Sequence, residues 1–135
     1  MQALYMIKPE FKYSDLTARI IGCAMEVHNA LGNGFQEVIY QRALGYEMEL
    51  QKILAAREVE MPVFYKQKDI GLRRVDFLVE EKICVEIKAL TSLENVHLAQ
   101  AINYLEAFNL EVGLLINFGN TKLEFHRLHN RKFKS

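Results

Sequence analysis

The sequence is poor in several things, and each shortage excludes something. It has two prolines, Pro9 and Pro62, and neither an internal repeat nor a Gly/Ser/Pro-rich stretch, so nothing divides its 135 residues into separate units. Its two cysteines, Cys23 and Cys84, supply neither a zinc site nor an iron–sulfur ligand set. Both lie in apolar runs and read as buried structural thiols. The cleanest apolar run, Val112 to Phe118, falls far short of the roughly 20 residues that cross a bilayer. The amino terminus, MQALYMIKPEF, lacks the apolar stretch and small-residue cleavage site of a secretory signal, so a cytoplasmic location is expected. Net charge is absent too: seventeen basic residues cancel seventeen acidic ones, which excludes a general nucleic-acid coat.

What the chain does have is a core. Half of its residues are hydrophobic, with eight Phe and six Tyr, enough apolar surface to exclude disorder and to build one domain over residues 1–135. The charge is unevenly spread: residues 36–110 carry nine basic and twelve acidic residues, and 111–135 carry five and two. The basic end, Arg127 to Lys134, reads as a solvated terminus or, alternatively, as a phosphate contact.

Periodicity gives the element order. Leu16, Ile20, Ala24, Val27 and Leu31 recur at helical spacing from Ser14, a candidate N-cap, to the Gly32-Asn33-Gly34 stop. A second helix is expected from about Gln36 to Lys52. Alternation then takes over: Val59 to Tyr65 reads as a strand that Pro62 confines to a sheet edge. Leu72 to Val79 and Ile83 to Ala89 form a hairpin around Glu80-Glu81-Lys82. A helix over about Ser92 to Asn109, a strand over Val112 to Phe118 apolar enough to be covered on both faces, and a strand over Lys122 to Leu128 complete the chain. The strand–helix–strand unit from 83 to 118 should form a right-handed parallel crossover. The expected fold is α/β, helices on a small mixed sheet, in the order α-α-β-β-β-α-β-β.

The hairpin carries the sharpest chemistry. A three-residue tip places Asp76 opposite Glu86, with β-carbons about 5 Å apart, and Lys88 follows on the same face. Two carboxylates that close call for a cation, and a hard ion such as Mg2+ accepts few carboxylates together with waters and phosphate oxygens. An ammonium beside them orients or deprotonates a water and offsets developing negative charge. The plainer alternative is a charged cluster on a wet sheet face. Against it, Asp76 and Glu86 share their face with apolar Leu78 and Cys84. On the following helix, His97, Gln100 and Tyr104 fall within roughly 60° of one another. They form a polar stripe beside the buried face, which suits a cleft wall or simple packing at the core boundary. Glu37 opens the second helix, where an acid also merely complements the helix dipole.

Asp76, Glu86-x-Lys88 and Gln100-x-x-x-Tyr104 resemble the core motifs of the PD-(D/E)XK nuclease superfamily, particularly its RecB-like branch. Gly34-x-x-Glu37-x-x-Tyr40 resembles the signature of the prokaryotic GxxExxY protein family grouped with that superfamily. The similarity extends to Glu26-Val-His28, Val96-His97-Leu-Ala-Gln100 and Leu115-Ile-Asn-Phe-Gly119. The resemblance implies a restriction-endonuclease-like core and hydrolysis of phosphodiester bonds in nucleic acid, DNA ahead of RNA. It implies a Mg2+ or Mn2+ ion held by Asp76 and Glu86 with Glu37 as a further acid. Lys88 would serve the attacking water, while Gln100 and Tyr104 would shape the site or touch substrate. His28 faces the site or sits satisfied between helices. This chain departs from many relatives at Asn33, where a proline is common, and at Val75, where alanine is. Two rival functions stand beside the nuclease: a non-catalytic module of the same fold that docks nucleic acid or protein, and a homodimer whose neutral protomers assemble a groove together. No membrane partner is expected.

Overall fold

The computed structural model describes residues 12–135; the segment read for a secretory signal lies outside them. Helix α1 spans Ser14–Leu31 and α2 spans Glu37–Leu50. Strands β1 (Ala55–Tyr65), β2 (Lys68–Val79) and β3 (Ile83–Lys88) follow, then α3 (Asn95–Ala107), β4 (Val112–Asn117) and β5 (Glu124–His129). The order is the expected α-α-β-β-β-α-β-β. The five strands lie in sequence order in one mixed sheet, antiparallel except for the parallel pair of β3 and β4. Pro62 falls on β1, which is indeed an edge strand. Every residue of β4 is buried, as its unbroken apolar run requires.

Two cores separate the layers. On one face Ile20, Ile21, Ala24, Tyr40, Leu44 and Met48 of α1 and α2 pack on Phe77, Val79, Val85, Ile87, Leu114 and Ile116. On the other, Ala101 and Leu105 of α3 pack on Cys84, Leu115, Leu128 and Val75. Val75 breaks the expected alternation, because it joins the α3 side while Phe77 and Val79 face α1 and α2. The cause is a dislocation between them. The β1–β2 register runs Arg57 to Phe77 and then Val59 to Val75, skipping Glu58 and Asp76, and Glu58 adopts a left-handed φ of 56°.

Several boundaries move for local reasons. Ser14 is the first helical residue and Tyr13, with φ 59°, occupies the capping position, so the serine is not the N-cap. α2 ends two residues early in a Schellman turn built on left-handed Lys52 (φ 60°). There the N–H of Ile53 donates to the Met48 carbonyl at 2.8 Å and that of Lys52 to Glu49 at 3.0 Å. α3 starts at Asn95, because Glu94 and His97 form a reciprocal capping box. β2 begins four residues before its expected start because the far end of the ribbon is exposed on both faces and leaves no alternating pattern, and β1 begins four residues early at Ala55, which pairs with Val79. The basic tail is docked, not free: Asn130, 1% exposed, donates to the carbonyls of Leu105 and Leu110, and Asn109 holds the backbone of Lys134.

One aromatic pins the turn ahead of α2. The fully buried Tyr40 ring stacks on Phe118 at 4.8 Å and 10°. Its hydroxyl donates to the Gly32 carbonyl at 2.6 Å and accepts the Phe35 N–H at 3.1 Å. Gly32 itself stops α1 with φ 76°, a conformation that favours glycine. Replacing Tyr40 with Phe should keep the stack, strand both backbone groups and cost about 1–3 kcal/mol. Tyr40→Ala should cost about 3–5 kcal/mol. Urea melts of the two variants check this; an undiminished stability in Tyr40→Phe would mean that the hydroxyl contributes nothing, and equal losses in both would mean the same of the ring stack.

Candidate metal-dependent active site

The dislocation at Asp76 creates the site. The β2–β3 register keeps the expected pairing through Val79 to Ile83, Leu78 to Cys84 and Phe77 to Val85, and then the ladder stops. Asp76 and Glu86 meet through side chains in place of a backbone rung. The Asp76 Oδ2 accepts the Ile87 N–H at 2.7 Å, and the Glu86 Oε1 accepts the Asp76 N–H at a long 3.4 Å. In the gap where β2 and β3 part, carboxylates replace carbonyls as acceptors.

Helix α2 approaches this gap from its own face. Gln41, 6% exposed, donates its side-chain N–H to the Asp76 Oδ1 at 3.0 Å, so both Asp76 oxygens are fixed. Gln41 was missed in the sequence, although it lies four residues after Glu37 and so shares that residue's helix face. Glu37 is solvent-exposed in the first turn of α2. Partial burial and the Asp76 charge raise its pKa, and Lys88 opposes them, which places Glu37 within electrostatic reach of both.

The electrostatics concentrate on Glu86. It is 8% exposed, and burial followed by the neighbouring Asp76 charge pushes its pKa up to about 8; Arg73 and Lys88 oppose the rise. Burial likewise raises Asp76, against the Ile87 and Gln41 hydrogen bonds and the Lys88 charge. Lys88, half-buried at the end of β3, thus lies within electrostatic reach of Glu37, Asp76 and Glu86.

Asn117 fixes the chain just after Lys88. Fully buried, it accepts the Leu90 N–H at 2.8 Å and donates to the Leu90 carbonyl at 2.9 Å and to Glu124 at 2.7 Å. Gly119 is required beside it, since a Cβ there would lie 2.3 Å from the Leu90 carbonyl oxygen.

The α3 stripe divides. Tyr104 is half-buried, and the Arg73 guanidinium lies over its ring at 4.6 Å, linking it to the Glu86 neighbourhood. Gln100 is exposed and, among the described residues, hydrogen-bonds none of the four candidates. His97 caps its own helix. His28 is buried and bonded through Nε2 to the Asn120 carbonyl at 3.0 Å, the satisfied alternative. Both cysteines are buried and free; burial pushes Cys23 up to about 11 and Cys84 further, as inert thiols. A separate cavity of about 620 Å3, lined by Arg42, Tyr46, Glu49, Arg57 and Phe77 among others, includes none of Glu37, Asp76 and Glu86.

Residues 14–128 match the PD-(D/E)XK nuclease superfamily. The chain belongs to that superfamily. No curated protein matches it. Among solved structures it is similar to the crystal structure of SSO0001, at 20% identity and a TM-score of 0.56, over 88% of this chain and 60% of the other. The chain thus spans less than two thirds of that protein, and the likeness is one of fold.

The donor set suits the divalent ion that this superfamily implies. Among the described residues no three His, Cys, Asp or Glu side chains converge on one point, so the protein does not offer a closed cage. Two carboxylates of hard oxygen, one desolvated beside the other, are instead what Mg2+ or Mn2+ uses when waters and phosphate oxygens complete the shell. In the metal-free protein, a Glu86 pKa raised above its unfolded value binds a proton that the unfolded chain releases. That contribution is present below the ordinary carboxyl pKa and is lost as pH rises toward about 8. Metal-free Tm should therefore fall over that window more in wild type than in Glu86→Gln. Saturating Mn2+ should raise the wild-type Tm more at pH 8 than at pH 5, and Glu86→Gln hardly at all. Equal Mn2+ gains in both proteins would remove Glu86 from the metal site.

Proposed function

We propose that this protein is a Mg2+- or Mn2+-dependent nuclease that hydrolyses phosphodiester bonds in nucleic acid, with DNA ahead of RNA. The observation that carries the reading is the break at Asp76, which gathers two partly or fully desolvated carboxylates and an ammonium at one opening of the sheet. Within the superfamily, we place it in the RecB-like GxxExxY group on Gly34-x-x-Glu37-x-x-Tyr40 and Gln100-x-x-x-Tyr104, and in the cytoplasm.

The roles follow from position. Asp76 and Glu86 would hold the ion, and Glu37, at the exposed lip, would be the further acid that orients a water. A divalent ion bound there supplies Lewis acidity, lowering the pKa of a water and neutralising phosphate charge. Lys88 offsets the charge that builds on the non-bridging oxygens as water oxygen bonds to phosphorus. The bond to the leaving sugar oxygen then breaks; the proton released by the attacking water passes to solvent at the exposed lip, and the leaving oxygen takes one up from solvent water. Gln41 holds Asp76 Oδ1 so that the carboxylate does not turn away from the gap. Tyr104, and Gln100 one turn before it, border the approach from α3.

Labelled single- and double-stranded DNA and RNA, incubated with Mg2+, Mn2+ or EDTA, test the reading directly. Wild type should cut in either metal and not in EDTA; Glu86→Ala and Lys88→Met should lose at least a hundredfold in rate. Lys88→Met should keep its Tm within a few degrees, because its head group lies at an opening. Equal cutting by wild type and Glu86→Ala would assign the cleavage to a contaminant. No cutting by wild type on any substrate would leave the fold as a binding module.

A further inference from the structure

Beyond the dislocation at Asp76, the β1–β2 ribbon runs out into solvent. Every residue from Phe64 to Arg74 is exposed. The apolar ones are not spared: Phe64 is 58% exposed, Tyr65 60%, Ile70 60% and Leu72 64%. Among them stand Lys66, Lys68, Arg73 and Arg74, with Asp69 as the one acid in the segment. Asp69 is occupied by the Gly71 N–H at 3.0 Å, and Arg74 meets Glu60 at 3.5 Å. Lys66 leans over the Tyr65 ring at 5.4 Å. In a chain with no net charge, this is a local cationic arm studded with exposed rings.

We infer that this ribbon is a nucleic-acid-gripping arm that holds a single-stranded segment by stacking on Tyr65 and by phosphate contacts to Lys66 in the turn and to Lys68, which the register places opposite Tyr65 on the same face. Aromatic faces interleaved with cations are the chemistry that captures unpaired bases and their backbone together, with little regard to sequence. From Asp76 to Lys68 the strand extends about 25 Å, long enough to lie along several nucleotides. At its root Arg73 lies over Tyr104 and within electrostatic reach of Glu86, so the arm begins where the acids are. The inference rests on the nuclease reading for what the arm delivers, but not for whether it binds.

A second copy of the chain is the rival occupant, and two features oppose it. The β1 edge is interrupted by Pro62, by a register shift between Val63 and Phe64 and by left-handed Glu58, which blunts strand-to-strand pairing. A two-fold contact through the tip would also bring its lysines onto one another.

Anisotropy of a fluorescein-labelled single-stranded DNA oligonucleotide in EDTA, where no cleavage occurs, tests the arm. Wild type should bind, and more tightly than to the matching duplex. Lys66→Glu/Lys68→Glu should bind at least tenfold more weakly, with the slope of log K against log salt reduced by about 1.4. Tyr65→Ser should lose about tenfold with the slope unchanged. Tm should be unmoved in both arm variants. Wild-type affinity in the arm variants, no binding by wild type, or a preference for duplex would overturn the inference. So would a wild-type dimer that Tyr65→Ser makes monomeric at unchanged DNA affinity. Arm-dependent binding without metal-dependent cleavage would sink the nuclease reading and leave the arm standing.

Discussion

The structure turns on one interrupted rung. A backbone donor inside a protein must be satisfied, and in a sheet the neighbouring strand ordinarily does it. At Asp76 both neighbours withdraw: the β1 ladder skips it opposite Glu58, and the β3 ladder stops at Phe77. The vacancy is filled by the carboxylates themselves, Glu86 accepting from Asp76 and Asp76 accepting from Ile87. Each charged group is thereby held inside the sheet by the backbone it serves. The same break turns Val75 toward α3, frees the ribbon beyond it from the core, and opens the gap that Gln41 and Arg73 border from opposite faces.

That arrangement sets stability against chemistry. Burying Glu86 next to Asp76 disfavours its charge enough to raise its pKa to about 8, while the one backbone bond it accepts is long. The acid is tolerated because the remainder is over-determined: Phe77, Val85 and Ile87 are locked under α1 and α2, and Asn117 and Gly119 fix the chain after Lys88 with almost no room. A cation bound there would relieve the repulsion between the two carboxylates that the fold imposes.

Most of the fold was legible because its strongest signals are local. The 3.6-residue stripe of α1, the unbroken apolar run of β4 and the Pro62 edge each reflect one face meeting one environment. The register that aligns Asp76 with Glu86 came from counting outward from a three-residue tip, and it holds from Val79 to Phe77. What the sequence hid was non-local. Alternation predicted Val75 on the wrong face, because nothing near it announces that Glu58, seventeen residues earlier, takes a left-handed turn. Gln41 went unnoticed because its role exists only once Asp76 arrives from thirty-five residues away. The start of β2 at Lys68 leaves no trace in the sequence, because solvent on both faces erases the period of two.

The glycine–glutamate–tyrosine signature shows why a motif is not one function. Tyr40 is fully buried, stacked on Phe118 and bonded across the glycine turn, so it makes the turn rigid. Glu37, three residues before it, is exposed and electrostatically coupled to Asp76 and Lys88. A helix start that carries an acid to the lip of a cleft is useful only if its angle is fixed, and first turns fray unless something holds them. No side chain caps α2. The tyrosine does that service from within the first turn, and the same ring closes the core beneath the site by way of Phe118, the residue between Asn117 and Gly119. One motif thus couples the placement of Glu37 to the segment that secures Lys88, so a loosened turn would misplace a charge at both ends of the site.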